Sequence, residues 1–221
     1  MTTTDPTRSA EILAGFATSH ISDALDNLGI TGQVVGVRAF GRGLRVAGPA
    51  FTVRFVPCEP GEGPLGDYID EVPSGSVVVL DNAGREVGSV WGGVLTQTAL
   101  ARGLAGTVAD GICRDTASAE AAGYPLFGRN AWMRTGNGRV RAEARGATVS
   151  LGGVRVRPGD LVVGDDDGVV VVPRERVDEV LGIARKIHDV EEQIVAAVWA
   201  GRTVAEAREE VQRPGLKGAR S

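Results

Sequence analysis

The strongest chemical signal in the chain lies at residues 108–115. Val108-Ala109-Asp110 closes an apolar run, Gly111 breaks it, and Ile112-Cys113 leads to Arg114 beside Asp115. A buried strand that stops at a glycine turn delivers the next residues to the carboxyl edge of a sheet, where α/β proteins bind ligands. Arg114 offers a planar fork that can grip a carboxylate through two hydrogen bonds. Asp115 offers oxygen to a hard cation. The same dipeptide also suits a solvated turn, so residue type alone leaves both uses open.

A second signal precedes it, Gly88-Ser89-Val90-Trp91-Gly92-Gly93-Val94-Leu95. Two glycines at a helix start leave backbone N–H groups bare and pointing outward, ready for an anion. They also serve simply to turn the chain. Consecutive strand-to-helix turns on one sheet open toward the same edge, so the two segments could form one cup of amides, an arginine and a carboxylate.

The inventory excludes other chemistries. His20 and His188 are the only histidines, and Cys58 and Cys113 the only cysteines. A zinc site of several His and Cys is therefore unexpected, and no G-x-S-x-G elbow occurs. Lysine appears only as Lys186 and Lys217, on a polar helix face and in the tail, so Schiff-base chemistry has no candidate. Any metal must use oxygen ligands, as Mg²⁺, Mn²⁺ or Ca²⁺ do. The excess of arginine suits carboxylates and phosphates, or reflects only genome base composition.

Other clusters read more plainly. Asp165-Asp166-Asp167-Gly168 lacks the spacing of an EF-hand and reads as a hairpin turn. Glu191-Glu192 reads as a solvated helix face. Trp91, Trp132 and Trp199 read as core or interface anchors. Arg129, Asn130 and Trp132 are candidates for the mouth of the cup.

The elements that must position these residues follow from periodicity. Ser9 to Leu28 predicts a helix in two parts, broken near Thr18-Ser19, its second part capped by Ser19 or Ser22 and ended by Gly29. Leu44 to Phe55 predicts β structure interrupted at Pro49, and residues 57–64 a loop. Ser76–Asp81 and Gly106–Asp110 predict buried strands, with a helix over Val94–Arg102 ended by Gly103. A short helix over Thr116–Ala122 and a strand at Pro125–Phe127 complete a parallel α/β core over 76–127. Short β segments follow at Val149–Leu151, Val154–Val156, Leu161–Gly164 and Val169–Val172. From Pro173 a long amphipathic helix runs to Gly201, and Val204–Val211 adds a further turn or two. Residues 1–8 read as frayed and 213–221 as disordered. The expectation is one domain over 1–221, with core and long helix within 9–201 and a C-terminal helical appendage suited to a subunit contact.

The chain has 221 residues, 43% hydrophobic and 24% charged, with 24 basic against 28 acidic side chains. That mildly acidic balance lacks the footprint of a nucleic-acid binder. No apolar run reaches the length of a membrane span. Met1–Pro6 has neither the basic nor the apolar region of a signal peptide. Two lone thiols fit a reducing cytoplasm, the expected location.

These motifs together resemble the 4-hydroxy-4-methyl-2-oxoglutarate aldolase family, which also contains the regulators of ribonuclease activity A (RraA-like proteins). The resemblance spans about Ile21 to Gly201. It rests on Ile21-Ser22-Asp23-Ala24-Leu25, Val46-Ala47-Gly48-Pro49-Ala50, Trp91-Gly92-Gly93, Asp110-Gly111-Ile112-Cys113-Arg114-Asp115, Arg157-Pro158-Gly159-Asp160-Leu161 and Asp165-Asp166-Asp167-Gly168-Val169. It implies an α/β fold, a three-layer β/β/α swivelling-type domain, assembled as homotrimers or homohexamers. It implies Mg²⁺ or Mn²⁺ and a pyruvate-releasing lyase, either aldolase or oxaloacetate decarboxylase. By motif match, Asp115 would be the metal ligand. Arg114 would bind the pyruvyl carboxylate or keto oxygen, and the amides of Gly92, Gly93, Val94 and Leu95 the substrate's other oxygens. Glu191 is the positional match for a glutamate contributed by a neighbouring subunit.

One departure bears on activity. The aldolases carry an aspartate twenty-one positions before the arginine, where this chain has Gly93. Aldol cleavage is thereby in more doubt than pyruvate binding. The regulators usually lack the full Arg-Asp pattern, so Arg114-Asp115 favours an enzyme. A non-catalytic regulator acting by protein contact, or a metal enzyme acting on a different organic or sugar acid, remain the alternatives.

Overall fold

The computed structural model describes residue 10, residues 13–62 and residues 65–212. The expected fraying at 1–8 and disorder at 213–221 lie outside the described residues. The helix α1 (Thr18–Asn27) precedes β1 (Arg38–Ala39) and the long β2 (Val46–Pro57). A 3-10 turn (Asp67–Glu71) leads to β3 (Val77–Asp81), β4 (Ser89–Trp91) and α2 (Gly93–Ala101). Next come β5 (Gly106–Asp110), β6 (Ile112–Cys113), α3 (Thr116–Ala121), β7 (Leu126–Gly128) and β8 (Asn130–Ala131). The C-terminal half holds β9 (Val140–Arg145), β10 (Val149–Leu151), β11 (Val154–Val156), β12 (Leu161–Asp165) and β13 (Gly168–Val172). A second 3-10 turn (Arg174–Arg176) then leads into the long α4 (Val177–Trp199), and α5 (Val204–Gln212) follows.

The main sheet runs β1-β7-β5-β3-β2-β12-β13, with β9 also paired to β2. β3, β5 and β7 are parallel, as predicted for residues 76–127, and β2 extends the parallel set through its pairing with β3. The far edge almost closes on the first: the Val34 N–H donates to the Val169 carbonyl and the Val171 N–H to the Gly32 carbonyl. Inside the nearly closed sheet, Val79, Val108, Phe127, Val162 and Val171 pack against the β10–β11 hairpin through Leu151 and Val156. On the other face, α2 and α3 cover Leu80, Ala109 and Leu126 through Ala99 and Ala119. Hairpin, sheet and helices make the expected three layers. A third cluster joins α1 and α4 to β12 and β13 through Ile21, Leu25, Val163, Val172 and Val180.

Two local expectations need correction. Pro49 does not interrupt the strand. It sits where β2 exchanges partners, β12 up to residue 49 and β3 from residue 50. Its missing N–H is not needed there, because the adjacent Ala50 N–H donates to the Asp160 carbonyl and the Gly159 N–H to Ala50. Nor do Ser19 or Ser22 cap α1. The cap position is Ala17, without a side-chain hydrogen bond. The first helical residue, Thr18, is instead tied to β12: its amide and hydroxyl donate to the two oxygens of Asp165 at 2.8 and 2.7 Å.

Asp165 thus joins α1 to the β12–β13 hairpin, whose turn falls at the predicted place. Burial pushes its carboxyl up, but the hydrogen bonds from Thr18 and the Asp167 amide, with the charge of Arg45, hold it below the ordinary value. A carboxyl lowered on folding stabilises the native state above the unfolded pKa of about 3.9. That stability is lost as pH falls through the folded value. Asp165→Asn is expected to cost about 2 kcal/mol at neutral pH. It should also flatten the fall in stability below about pH 4. Urea unfolding of both proteins from pH 7 to pH 3 checks this, and parallel acid limbs would refute it.

Candidate active site

The site begins with strand register. β4, β6 and β8 form a small parallel sheet, with Trp91 opposite Cys113 and Cys113 opposite Ala131. The next residues on the first two strands are Gly92-Gly93 and Arg114-Asp115, so the two segments lie side by side. The Arg114 amide donates to the Trp91 carbonyl at 3.0 Å. Neither β4 nor β6 was legible in the sequence, because two or three residues carry no period.

Gly92 is extended (φ −166°, ψ −173°), which any residue can adopt. Glycine leaves room there: a Cβ would lie 3.0 Å from Arg114 Nε and 3.2 Å from Asp115 Oδ2, so both side chains would have to give way. A Cβ on Gly93 would lie 3.3 Å from Asp115 Oδ2. The Gly93 N–H donates to that same oxygen at 2.8 Å, so the Gly93 amide is already engaged within the chain. By position, the amides of Val94 and Leu95 in the first turn of α2 have no intrahelical acceptor. The expected row of amides is therefore shorter by Gly93.

Arg114 and Asp115 are both about half exposed, with Arg114 Nε 3.7 Å from Asp115 Oδ2. Asp115 is left-handed (φ 57°, ψ 30°) and caps α3. A non-glycine residue held there costs of order 1 kcal/mol, and such residues gather at functional sites. Aspartate and asparagine tolerate that conformation better than alanine does. Asp115→Asn is therefore expected to leave unfolding stability nearly unchanged. Asp115→Ala, which also loses the bond from Gly93, should cost about 1–2 kcal/mol. Thermal melts of the two variants check this.

The arrangement is braced from below. Trp91 is buried and stacks on Tyr124, with ring centroids 5.9 Å apart and planes 3° from parallel. Its indole N–H donates to Thr96 Oγ1 at 3.0 Å, and Thr96 Oγ1 donates to the Gly92 carbonyl at 3.2 Å. Cys113 is buried and burial pushes its thiol well above the ordinary range, so it is no nucleophile.

Arg114 opens onto a cleft of about 480 Å³ whose walls include Trp91, Val94, Leu95 and Thr98 of the β4–α2 segment. The rest of its wall includes Leu65, Asp67, Ile69 and Asp70, with Thr135 and Asn137. Sequence reasoning missed this part entirely: it comes from a 3-10 turn and a loop without periodicity. The expected mouth residues lie elsewhere. Asn130 and Trp132 line a separate hollow with Glu86, Ile112 and Ala131. Arg129 is bound to the buried carboxylate of Asp110, whose other oxygen accepts the Gly152 N–H. They diverge because β8 lies on the far side of β6 from β4.

Glu191 is on α4, 2.8 Å from His20 Nε2, and is not among the residues lining the cleft. Among the described residues, no three His, Cys, Asp or Glu side chains converge as a metal-binding group. The Asp115 carboxylate with solvent and ligand oxygens suits Mg²⁺ or Mn²⁺, which take one or two carboxylates and keep several waters. It does not suit a closed zinc site.

A nearly closed mixed sheet with a hairpin inside, helices outside and a Gly-Gly turn facing Arg-Asp defines an α/β domain of the aldolase and RraA type. The chain belongs to the RraA-like (Aldolase/RraA) family, whose pattern matches residues 18–171. It is 38% identical over 195 residues to Protein DlpA of Legionella pneumophila, covering 87% of this chain and 32% of DlpA. This chain thus spans about a third of that relative. It is 35% identical over 179 residues to the Halalkalibacterium halodurans protein named "Putative 4-hydroxy-4-methyl-2-oxoglutarate aldolase", covering 76% of this chain and 78% of that one. The crystal structure of Streptomyces coelicolor RraAS2, described as an unusual member of the RNase ES inhibitor RraA family, superposes with a TM-score of 0.77. That match has 30% identity and covers 84% of this chain and 95% of that one. Among the described residues, no helix is long and apolar enough to cross a membrane.

Proposed function

We propose that this protein is a divalent-metal-dependent lyase that cleaves a C–C bond of a 2-keto acid and releases pyruvate. The reaction would be of the 4-hydroxy-4-methyl-2-oxoglutarate aldolase or the oxaloacetate decarboxylase type. The observation that carries this reading is that Arg114 lines one cleft with Val94 and Leu95 of the first turn of α2, with Asp115 beside it, 3.7 Å from Arg114 Nε and held by the Gly93 amide. The relative named as an aldolase supports it. Retention of the Arg-Asp pair supports an enzyme over a regulator that acts only by contact.

Arg114 takes the pyruvyl carboxylate, or the keto oxygen, through its fork. The amides of Val94 and Leu95 hold another substrate oxygen, with the partial positive charge of the helix start behind them. As the C3–C4 bond breaks, negative charge grows on the keto oxygen, and these fixed donors stabilise the enolate of pyruvate. Asp115, fixed by the Gly93 amide, is the residue that would hold Mg²⁺ or Mn²⁺. The cation, when bound, supplies Lewis acidity to the keto acid. Aldol cleavage also needs a group to take the C4 hydroxyl proton, and Gly93 provides none. Loss of CO₂ from oxaloacetate needs no such group.

Assembly as homotrimers or homohexamers in the cytoplasm belongs to the same proposal. Val94, Met133 and Trp199 are 81%, 78% and 86% exposed, apolar side chains that subunit contacts would remove from water. Glu191, half exposed on α4, would reach a neighbouring site only in such an assembly. The test is pyruvate release from oxaloacetate and from 4-hydroxy-4-methyl-2-oxoglutarate, with Mg²⁺ or Mn²⁺ and with EDTA. Metal-dependent release from either is expected. No release from both acids would overturn the proposal.

A further inference from the structure

We infer that the protein has a second ligand site, a cleft that binds a small organic phosphate through arginines outside the Arg114 cleft. It has a volume of about 670 Å³ and is lined by residues that follow α1, by the β10–β11 hairpin, by the β11–β12 turn and by the β13–α4 junction. That size suits a small metabolite. The two clefts share no lining residue. Three cations, Arg155, Arg157 and Arg176, line it against two carboxylates, Asp160 and Glu175. The balance attracts an anion to a chain that is acidic as a whole.

A buried carboxylate ties the arginine-bearing segments together. Asp160 is 3% exposed. One of its oxygens accepts the Arg157 N–H at 2.8 Å and the other the Arg174 N–H at 3.1 Å. It therefore fixes the β11–β12 turn to the β13–α4 junction, two residues before Arg176. Two of the cations are partly spent. Arg157 Nη1 donates to Glu175 Oε1 at 2.8 Å. Arg176 donates to both oxygens of Glu179, from Nε at 2.6 Å and from Nη2 at 2.9 Å. Arg155 is not spent. Its neighbours Val154 and Val156 are buried, so strand alternation puts it on the outward side of β11. It is exposed and has no hydrogen bond or ion pair among the described residues, which leaves all five of its N–H donors available. Thr31, also exposed, adds a hydroxyl to the lining. These donors come from three separate segments. That suits a tetrahedral group with three terminal oxygens better than a carboxylate, which a single guanidinium fork satisfies. Ile30, Val154 and Pro173 give apolar wall to the organic part.

The test is titration calorimetry of the full chain with glycerol 3-phosphate, inorganic phosphate, glycerol and succinate, in EDTA so that no metal draws anions to the Arg114 cleft. Glycerol 3-phosphate is expected to bind most tightly, inorganic phosphate and succinate more weakly, and glycerol not at all. Arg155→Ala is expected to weaken glycerol 3-phosphate at least about tenfold, the scale of lost charge-assisted hydrogen bonds. Arg155 is exposed, so the variant should fold, and circular dichroism checks it. Arg114→Ala should leave glycerol 3-phosphate affinity within about twofold of wild type, because additivity holds for sites with no shared partner. Failure of glycerol 3-phosphate to bind, succinate binding as tight, or an affinity unmoved by Arg155→Ala would overturn the inference. Loss of binding in Arg114→Ala with retention in Arg155→Ala would assign the anion to the other cleft and overturn it too. None of these outcomes depends on pyruvate release, so the lyase reading stands or falls separately.

Discussion

Arg114→Ala is expected to lower metal-dependent pyruvate release by about 10²–10³-fold, the cost of removing one donor from a developing oxyanion, about 2.7–4 kcal/mol. The fold should be indifferent to the change. The guanidinium is about half exposed, and its ion-pair contact is the 3.7 Å approach to Asp115. Unfolding free energy should therefore stay within about 0.5 kcal/mol of wild type, as for surface substitutions generally. Arg114→Lys should rescue little, because an ammonium cannot present a planar fork to a carboxylate. Gly92→Ala should reproduce part of the loss with the arginine still present, since its Cβ would press on Arg114 Nε at 3.0 Å. Steady-state kinetics on the three variants, with circular dichroism for each, tests the whole argument. Full activity in Arg114→Ala would remove this residue from the chemistry.

Trp91→Ala is expected to be the most destabilising single change near the site, by about 3–5 kcal/mol. The side chain is among the largest that are fully buried. Truncation opens a cavity against Tyr124 and frees Thr96 Oγ1 from the indole N–H. Because Thr96 Oγ1 also holds the Gly92 carbonyl, the first turn of α2 should loosen with it, and ligand affinity should fall even where the protein remains folded. Trp91→Phe keeps an aromatic ring on Tyr124 but not the hydrogen bond, and should cost about 1–2 kcal/mol. Urea unfolding of both variants separates the two contributions. Equal losses would mean that the hydrogen bond, not the packing, holds the segment.

Much of the frame was legible because burial leaves a period in the sequence. β3 and β5 appeared as unbroken apolar runs and are wholly buried strands. α2 and α3 end at Gly103 and Gly123, both in the left-handed region that glycine adopts freely. Asp167-Gly168 marked the β12–β13 turn. What failed was local inference where a tertiary contact outweighs it. Pro49 stays within a strand because that strand changes neighbours beside it. Thr18 starts its helix because Asp165, 147 residues away, receives its amide and hydroxyl.

The same division runs through the site. Residue types and the strand-to-helix turns singled out Gly92-Gly93 and Arg114-Asp115, because glycines at a helix start and charged residues beyond a buried strand are local facts. The sequence by itself determined the frame, the family and these two turns. Only the tertiary structure decided that Gly93 spends its amide on Asp115, that Asp115 is left-handed, and that Asp67 and Asp70 line the same cleft as Arg114. Those outcomes depend on the register of β4 with β6 and on where a 3-10 turn packs. Elements of two to five residues leave no periodic trace of such contacts in the chain.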